Sequence, residues 1–261
     1  MYSISKLILL EACHLIRLDR RKNDQMRQTT IQRRYQKYPA GSALIKVGNT
    51  KVICAATVED RVPHFLKGSG EGWITAEYSL LPSSTPERVS RETFGRVQGR
   101  SQEIQRLIGR ALRSVVDLKA IGERTIAIDC DVIQADGGTR TASITGAFVA
   151  LVEACNTFYQ KGGTFPVTDF VAAISVGISS TGEKILDLCY EEDSTAIADC
   201  NVVMSGFGEF IEIQTTGEKR PFSRSDLDEM LTLAEIGIDE LISLQKDALG
   251  SQLVWRVGRV G

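Results

Sequence analysis

The chain has 261 residues, 43% of them hydrophobic, enough for a sizeable core in one large domain or two tightly joined halves. Its formal net charge of −2 points to no polyanionic partner, and no apolar stretch approaches the ~20 residues of a membrane span. The six cysteines form no CxxC pair and lie mostly inside apolar runs, which speaks against a disulfide framework or a zinc site and for a reducing, cytoplasmic compartment.

Residues 1–16 read as an N-terminal extension, 17–250 as a single domain and 251–261 as a loose tail without period. The apolar core of the extension, Leu7 to Leu10, ends at Glu11 and is shorter than the ~7–15 residues of a secretory signal. Arg17 to Lys37 carries eight basic residues against two acidic ones and reads as a basic arm, whose plainest reading is a solvated lead-in. Ser42–Val47 and Lys51–Val58 read as strands around Gly48-Asn49-Thr50, a hairpin signal. Ile74–Leu80 is a further strand, and Ser83–Gly99 is a long polar loop containing Arg88, Arg91 and Arg96. Ser101–Leu118 has the clearest helical period, with Ile104, Leu107, Ile108, Ala111, Leu112, Val115 and Val116 on one face. Arg106, Arg110 and Arg113 recur at helical spacing and form a basic ridge, more often a solvated or salt-bridged face, and beside a phosphate-binding turn a candidate nucleic-acid or subunit surface.

The stretch from Asp131 to Ala147 organises the rest. The residues before it alternate as a half-buried strand does, with Ile126, Ile128, Cys130 and Val132 apolar. Ile144, Ala147, Phe148, Leu151 and Val152 then recur at helical spacing, over a helix expected to reach about Lys161. Gly137-Gly138 therefore sits on a strand-to-helix turn. Thr139, Thr141 and Ser143 offer hydroxyls at the helix start, and Arg140 adds a permanent cation. Free N–H groups, the positive end of the helix dipole and a planar guanidinium together favour a phosphate-sized anion. The absence of a following Gly-Lys-Ser/Thr rules out a Walker loop.

Phe170–Ile178, Lys184–Tyr190, Asn201–Ser205 and Phe210–Gln214 read as strands. Ser223 or Ser225 caps a last helix that ends at Gly250. Ile185 to Glu218 holds eight acids and no Lys or Arg. Within it, Asp193 and Asp199 stand six apart across a short turn, and two neighbouring strand ends are expected to bring them together. Oxygen ligands that leave coordination places open suit Mg2+ or Mn2+. The order of elements is mixed-sheet α+β with two similar halves. An anion turn, paired carboxylates and basic surfaces together suit phosphoryl chemistry on a nucleic-acid backbone. A triad hydrolase is not indicated, because His14 and His64 lie in no such motif.

Four motifs in this order resemble the ribonuclease PH family: Gly72-Trp73-Ile74-Thr75-Ala76-Glu77-Tyr78-Ser79, the run Glu103 to Arg113, Asp131 to Gly146, and Tyr190-Glu191-Glu192-Asp193. The resemblance spans about Asp19 to Gly250. It implies a duplicated fold like domain 2 of ribosomal protein S5, and a homohexamer built as a trimer of dimers. It further implies that inorganic phosphate, as co-substrate, attacks the last phosphodiester of tRNA precursors and other RNA 3′ ends and releases nucleoside diphosphates. By motif, Arg100, Gly138, Thr139 and Arg140 would hold the phosphate, and Asp193 and Asp199 the metal. Arg88, Arg91 and Arg96 would contact RNA. A non-catalytic ring subunit of exosome type is the alternative, and it would be expected to lack the phosphate arginines or the aspartates. A metal-dependent hydrolytic nuclease would release monophosphates instead. The family usually opens with Asp-Gly-Arg, then Asp-x-x-Arg-Pro; here the residues are Asp19-Arg20-Arg21 and Asp24-Gln25-Met26-Arg27-Gln28.

Overall fold

The computed structural model describes residues 17, 19–92, 98–160 and 163–258. The extension 1–16, Arg96 and His14 lie outside the described residues. The first sheet contains β1 (Thr29–Arg33), β2 (Gly41–Val47), β3 (Thr50–Glu59), β4 (Trp73–Leu80) and β5 (Thr125–Gln134), in the order β1-β2-β3-β5-β4. Its pairs are antiparallel except β4 with β5, which run parallel. A parallel pair needs a long crossover, and α1 (Gly99–Arg113) and α2 (Leu118–Ile121) lie within it. After α3 (Thr139–Phe158) comes the second sheet: β6 (Val171–Ile178), β7 (Lys184–Leu186), β8 (Ala198–Ser205) and β9 (Phe210–Thr216), antiparallel in the order β7-β6-β8-β9. A short helix, α4 (Tyr190–Thr195), joins β7 to β8, and α5 (Arg224–Leu249) and α6 (Ser251–Val254) close the chain. This is the expected mixed α+β architecture, with strands followed by a long helix in each half.

β5 shows how the alternation sets the layers. Ile126, Ile128, Cys130 and Val132 are buried, while Asp129 and Asp131 point to the other face of the sheet. α3 packs on β2 and β3 on one side and on β6 on the other. The sequence predicts a one-sided stripe for this helix, yet every residue from Thr141 to Cys155 is buried. A helix between two sheets has no wet face, so it is apolar all round. Among the described residues it is the one helix with the length and apolarity of a membrane span, and its central position accounts for that composition. Ile45, Ile128, Phe148, Ile174 and Ile238 belong to one apolar cluster running through both sheets. Each such fully buried side chain contributes on the order of 2–3 kcal/mol. The described cysteines are free, and all but the half-buried Cys189 are buried.

Several boundaries differ from the sequence reading. The predicted strand Lys184–Tyr190 stops at Leu186, because Asp187 adopts a left-handed backbone (φ 54°) and Tyr190–Thr195 turns into α4. The residues after Gly250 are docked where a loose tail is expected: Leu253 is buried, Gly258 N–H donates to the Val167 carbonyl at 3.1 Å, and Arg256 bonds Asn156. Such short apolar contacts leave no period to read in sequence. Of the two proposed caps, Ser223 serves α5, accepting from Asp226 N–H at 3.1 Å while Asp226 accepts from Ser223 N–H at 2.9 Å.

The basic arm is the largest departure. It is not a solvated lead-in. β1 forms an edge strand on β2, and Arg17 and Arg27 are buried in ion pairs with Glu192 and Asp187. Net charge per stretch could not reveal this, because the acidic partners lie 175 and 160 residues away in sequence. Arg20 has φ 65°, in the left-handed region that favours glycine. A side chain in that region strains the backbone by about 1–2 kcal/mol, and glycine returns part of that as unfolded-state entropy. Arg20→Gly is therefore expected to stabilise the fold by up to about 1 kcal/mol, measured by chemical denaturation. A loss of stability would mean that the Arg20 side chain does more than its backbone suffers.

Candidate active site

The turn between β5 and α3 takes the predicted form. Gly137 (φ 75°) and Gly138 (φ 65°) are both left-handed. Gly137 has a second reason to lack a side chain: a Cβ there would lie 2.6 Å from the Leu188 carbonyl oxygen and 2.8 Å from Tyr190 N. The turn is pinned by Thr50, whose Oγ1 donates to the Gly137 carbonyl at 2.7 Å and accepts from Asp136 N–H at 2.9 Å. Gly138 caps α3 without a side-chain acceptor, so the first-turn amides and the helix dipole face outward. The three hydroxyls divide. Thr141 Oγ1 donates back to the Gly138 carbonyl and Ser143 Oγ to the Thr139 carbonyl, both from buried positions. Thr139 differs: its hydroxyl lies 2.8 Å from the phenol of the buried Tyr78 instead of returning to its own helix. Tyr78 is a site neighbour that the sequence reading missed, since its alternating position on β4 marks it only as core.

Arg140 is half-buried, and its Nη1 donates to Gln214 Oε1 on β9 at 2.7 Å. Gln214 in turn donates to Glu103 on α1. The site therefore lies where α3, β9 and α1 meet. Arg100 stands exposed in the first turn of α1, and the charges of Arg100 and Arg140 both act on Tyr78 and on Asp193.

Asp193 stands exposed on α4 and Asp199 half-buried near the start of β8. The sequence places Asp193 at a strand end; it is on a short helix instead. Although Asp193 lies at the surface, the protein packed around both carboxyls takes away part of their water and raises their pKa. For Asp199, burial comes first and repulsion from Asp193 and Glu218 follows, with Arg140 pulling the other way. Glu218, just after β9, is a third acid at this place that sequence spacing did not single out. Asp199 Oδ1 is buried without a hydrogen-bond partner. A buried carboxylate oxygen without a partner, within reach of a second carboxylate's charge, suits a hard divalent cation. The described residues contain no cluster of three or more metal-ligating side chains. Two carboxylates fit Mg2+, which keeps several waters and takes further oxygens from phosphate groups.

The remaining arginines scatter. Arg88 and Arg91 are exposed, and Arg91 acts on Asp131, on the sheet face turned away from α3. The ridge of α1 splits three ways. Arg113 lies 4.5 Å over the Trp73 ring and donates to the Ile74 carbonyl at 2.7 Å. Arg110 pairs with Glu212 at 2.5 Å. Arg106 lines a cavity of about 1040 Å³ with Glu77, Asp129 and Asp131, apart from the predicted site residues. Helical spacing alone cannot distinguish these fates.

An open glycine turn, arginines and carboxylates at one place suit phosphoryl chemistry, and comparison with known proteins gives the class of the chain. The models of the 3′ exoribonuclease family match residues 25–155 (domain 1) and 169–237 (domain 2). The chain belongs to this family. It is 59% identical over 241 residues to Ribonuclease PH of Bacillus subtilis, covering 91% of this chain and 98% of that one. At that identity it is a phosphorolytic 3′ exoribonuclease of the nucleotidyltransferase class. Its fold is shared by an Archaeoglobus fulgidus exosome solved with RNA bound to the active site (TM-score 0.76, 21% identity, 92% of this chain and 97% of that one). Rice Rrp46 is similar in the same way (TM-score 0.73, 20% identity, 90% and 100%).

Proposed function

We propose that this exoribonuclease trims the 3′ ends of tRNA precursors, with Arg100, Gly138, Thr139 and Arg140 holding inorganic phosphate and Asp193 and Asp199 holding Mg2+ or Mn2+. The observation that carries this reading is the convergence at one place of an open helix N-terminus, two arginines and a repelling carboxylate pair. Arg100 and Arg140 neutralise and orient the phosphate, and the amides of the first turn of α3 hold its oxygens. A phosphate oxygen attacks the phosphorus of the last phosphodiester. The bond from that phosphorus to the 3′ oxygen of the preceding nucleotide breaks, and that oxygen takes up a proton. The products are a nucleoside diphosphate and an RNA one residue shorter; the reverse reaction adds a nucleotide. A bound cation would screen the charge on the scissile phosphate and the leaving oxygen. The exposed Arg88 and Arg91, together with Arg96, are assigned to RNA, and the working form to a homohexamer in the cytoplasm. The free cysteines support a reducing compartment.

The test uses a tRNA with a short 3′ tail, magnesium, and the presence or absence of inorganic phosphate. Nucleoside diphosphates released only with phosphate are the expected result. Monophosphates released without phosphate would mean hydrolysis and a misassigned anion site. RNA bound but never shortened would support the scaffold alternative.

A further inference from the structure

Arg27 is 5% exposed and bonds to two loops at once. Its backbone N–H and Nε donate to Asp187 Oδ2 at 2.8 and 2.9 Å, and its Nη2 donates to Asp187 Oδ1 at 2.6 Å. Its Nη1 donates to the carbonyl of Asp136, the residue before the double glycine. The two loops also touch directly. Gly137 packs against the backbone of Leu188 to Tyr190, and Tyr190 N–H donates to Asp136 Oδ1 at 3.4 Å. One planar fork thus joins the turn before α3 to the loop that launches α4, which carries Asp193.

Arg17 grips the other side of that loop. Its guanidinium pairs with Glu192 at 2.7 and 2.6 Å and donates to the carbonyls of Leu186 (2.7 Å) and Asp187 (3.0 Å). Glu192 precedes Asp193 and also accepts from Cys189 N–H at 3.0 Å. Arg17 makes no bond to the glycine turn. Buried ion pairs contribute little net stability, because desolvation offsets the attraction. What a bidentate arginine does supply is fixed geometry.

We propose that Arg27 is a positioning residue that sets the distance between the phosphate turn and the Asp193 helix, and that Arg17 is a second tether acting on that helix and the loop that launches it, with no bond to the turn. This rests on the reading of Gly138–Arg140 as the phosphate site and of Asp193 and Asp199 as the cation site. The basic arm is then part of the catalytic frame.

The experiment compares Arg27→Lys, Asp187→Asn and Arg17→Lys in the full-length protein by phosphorolysis of a tailed RNA, titrating phosphate and Mg2+ separately. Arg27→Lys keeps the charge but cannot span both loops. It should raise both the phosphate KM and the Mg2+ half-saturation by roughly 10- to 100-fold. Asp187→Asn should do the same, and the double variant should be no worse than either single one. Arg17→Lys should raise only the Mg2+ half-saturation. Binding of the tailed RNA without phosphate or metal should be unchanged in all three. A folded Arg27→Lys whose phosphate KM and Mg2+ requirement stay within about twofold of the parent overturns the proposal. So does an effect confined to RNA binding. Should both Arg27→Lys and Asp187→Asn fail to fold, the arm is a folding element and the proposal falls. Arg140→Ala run in parallel separates the two readings. Crippled phosphate use there beside a normal Arg27→Lys discards the clamp and keeps the site, while normal phosphate use in Arg140→Ala discards the site itself.

Discussion

Asp199→Asn is expected to lower phosphorolytic turnover by roughly 10²- to 10³-fold at saturating RNA and phosphate, with the fold intact. Asparagine has the same shape, so the strand pairing of β8 with β6 and β9 survives. What is lost is one of two negative charges that a divalent cation would bridge. Asp199 is strained as an anion, since Asp193 and Glu218 repel it and its Oδ1 has no hydrogen-bond partner. Removing the charge should therefore raise the thermal midpoint in the absence of metal while abolishing metal-dependent turnover. A variant that loses activity and stability together would instead make Asp199 structural, and one with full activity would put the metal elsewhere. Burial of the two carboxyls, with repulsion from neighbouring acids second, sets a sign for pH. The Asp193 and Asp199 pKa values are raised, so protons begin to compete with the cation above the usual carboxylate range. In the parent protein the Mg2+ half-saturation should rise as pH falls toward that range.

Arg140→Ala is expected to reduce kcat/KM for phosphate by about 10²- to 10³-fold, the usual effect of removing one preorganised donor. Arg140 is held before substrate arrives, because Gln214 accepts its hydrogen bond and Gln214 is itself tied to Glu103. A lysine at this position reaches the site as a point charge and should recover only part of the loss. The substitution has a second, separable signature. Arg140 lowers the pKa values of both aspartates, so its removal lets them rise further. The acid limb of the pH–rate profile should move to higher pH in Arg140→Ala. Unchanged activity at limiting phosphate would defeat the assignment; a loss without the pH displacement would leave Arg140 acting on phosphate alone.

Much of this was legible locally. The double glycine between an alternating strand and a helical run announces a strand-to-helix turn, because only glycine takes those backbone angles cheaply. The period of Ser101–Leu118 and the cap at Ser223 are likewise local. Other features were not. The hydroxyls of Thr141 and Ser143 look equivalent to that of Thr139 in sequence, but helix geometry returns them to the backbone carbonyls of Gly138 and Thr139. Tyr78 comes to the site from β4 and Glu218 from the segment just after β9, so no spacing rule connects them to it.

The sequence by itself determined the kinds of element, the anion turn and the residue types that carry charge, since these depend on backbone angles and on periodicity within a few residues. The tertiary structure alone decided which charges meet. Arg17 and Arg27 find Glu192 and Asp187 across the fold, Arg110 and Arg113 are taken up within the chain, and Asp199 keeps a buried oxygen without a hydrogen-bond partner among the described residues. An ion pair depends on distance through space, which falls off over a few ångströms and bears no relation to separation along the chain.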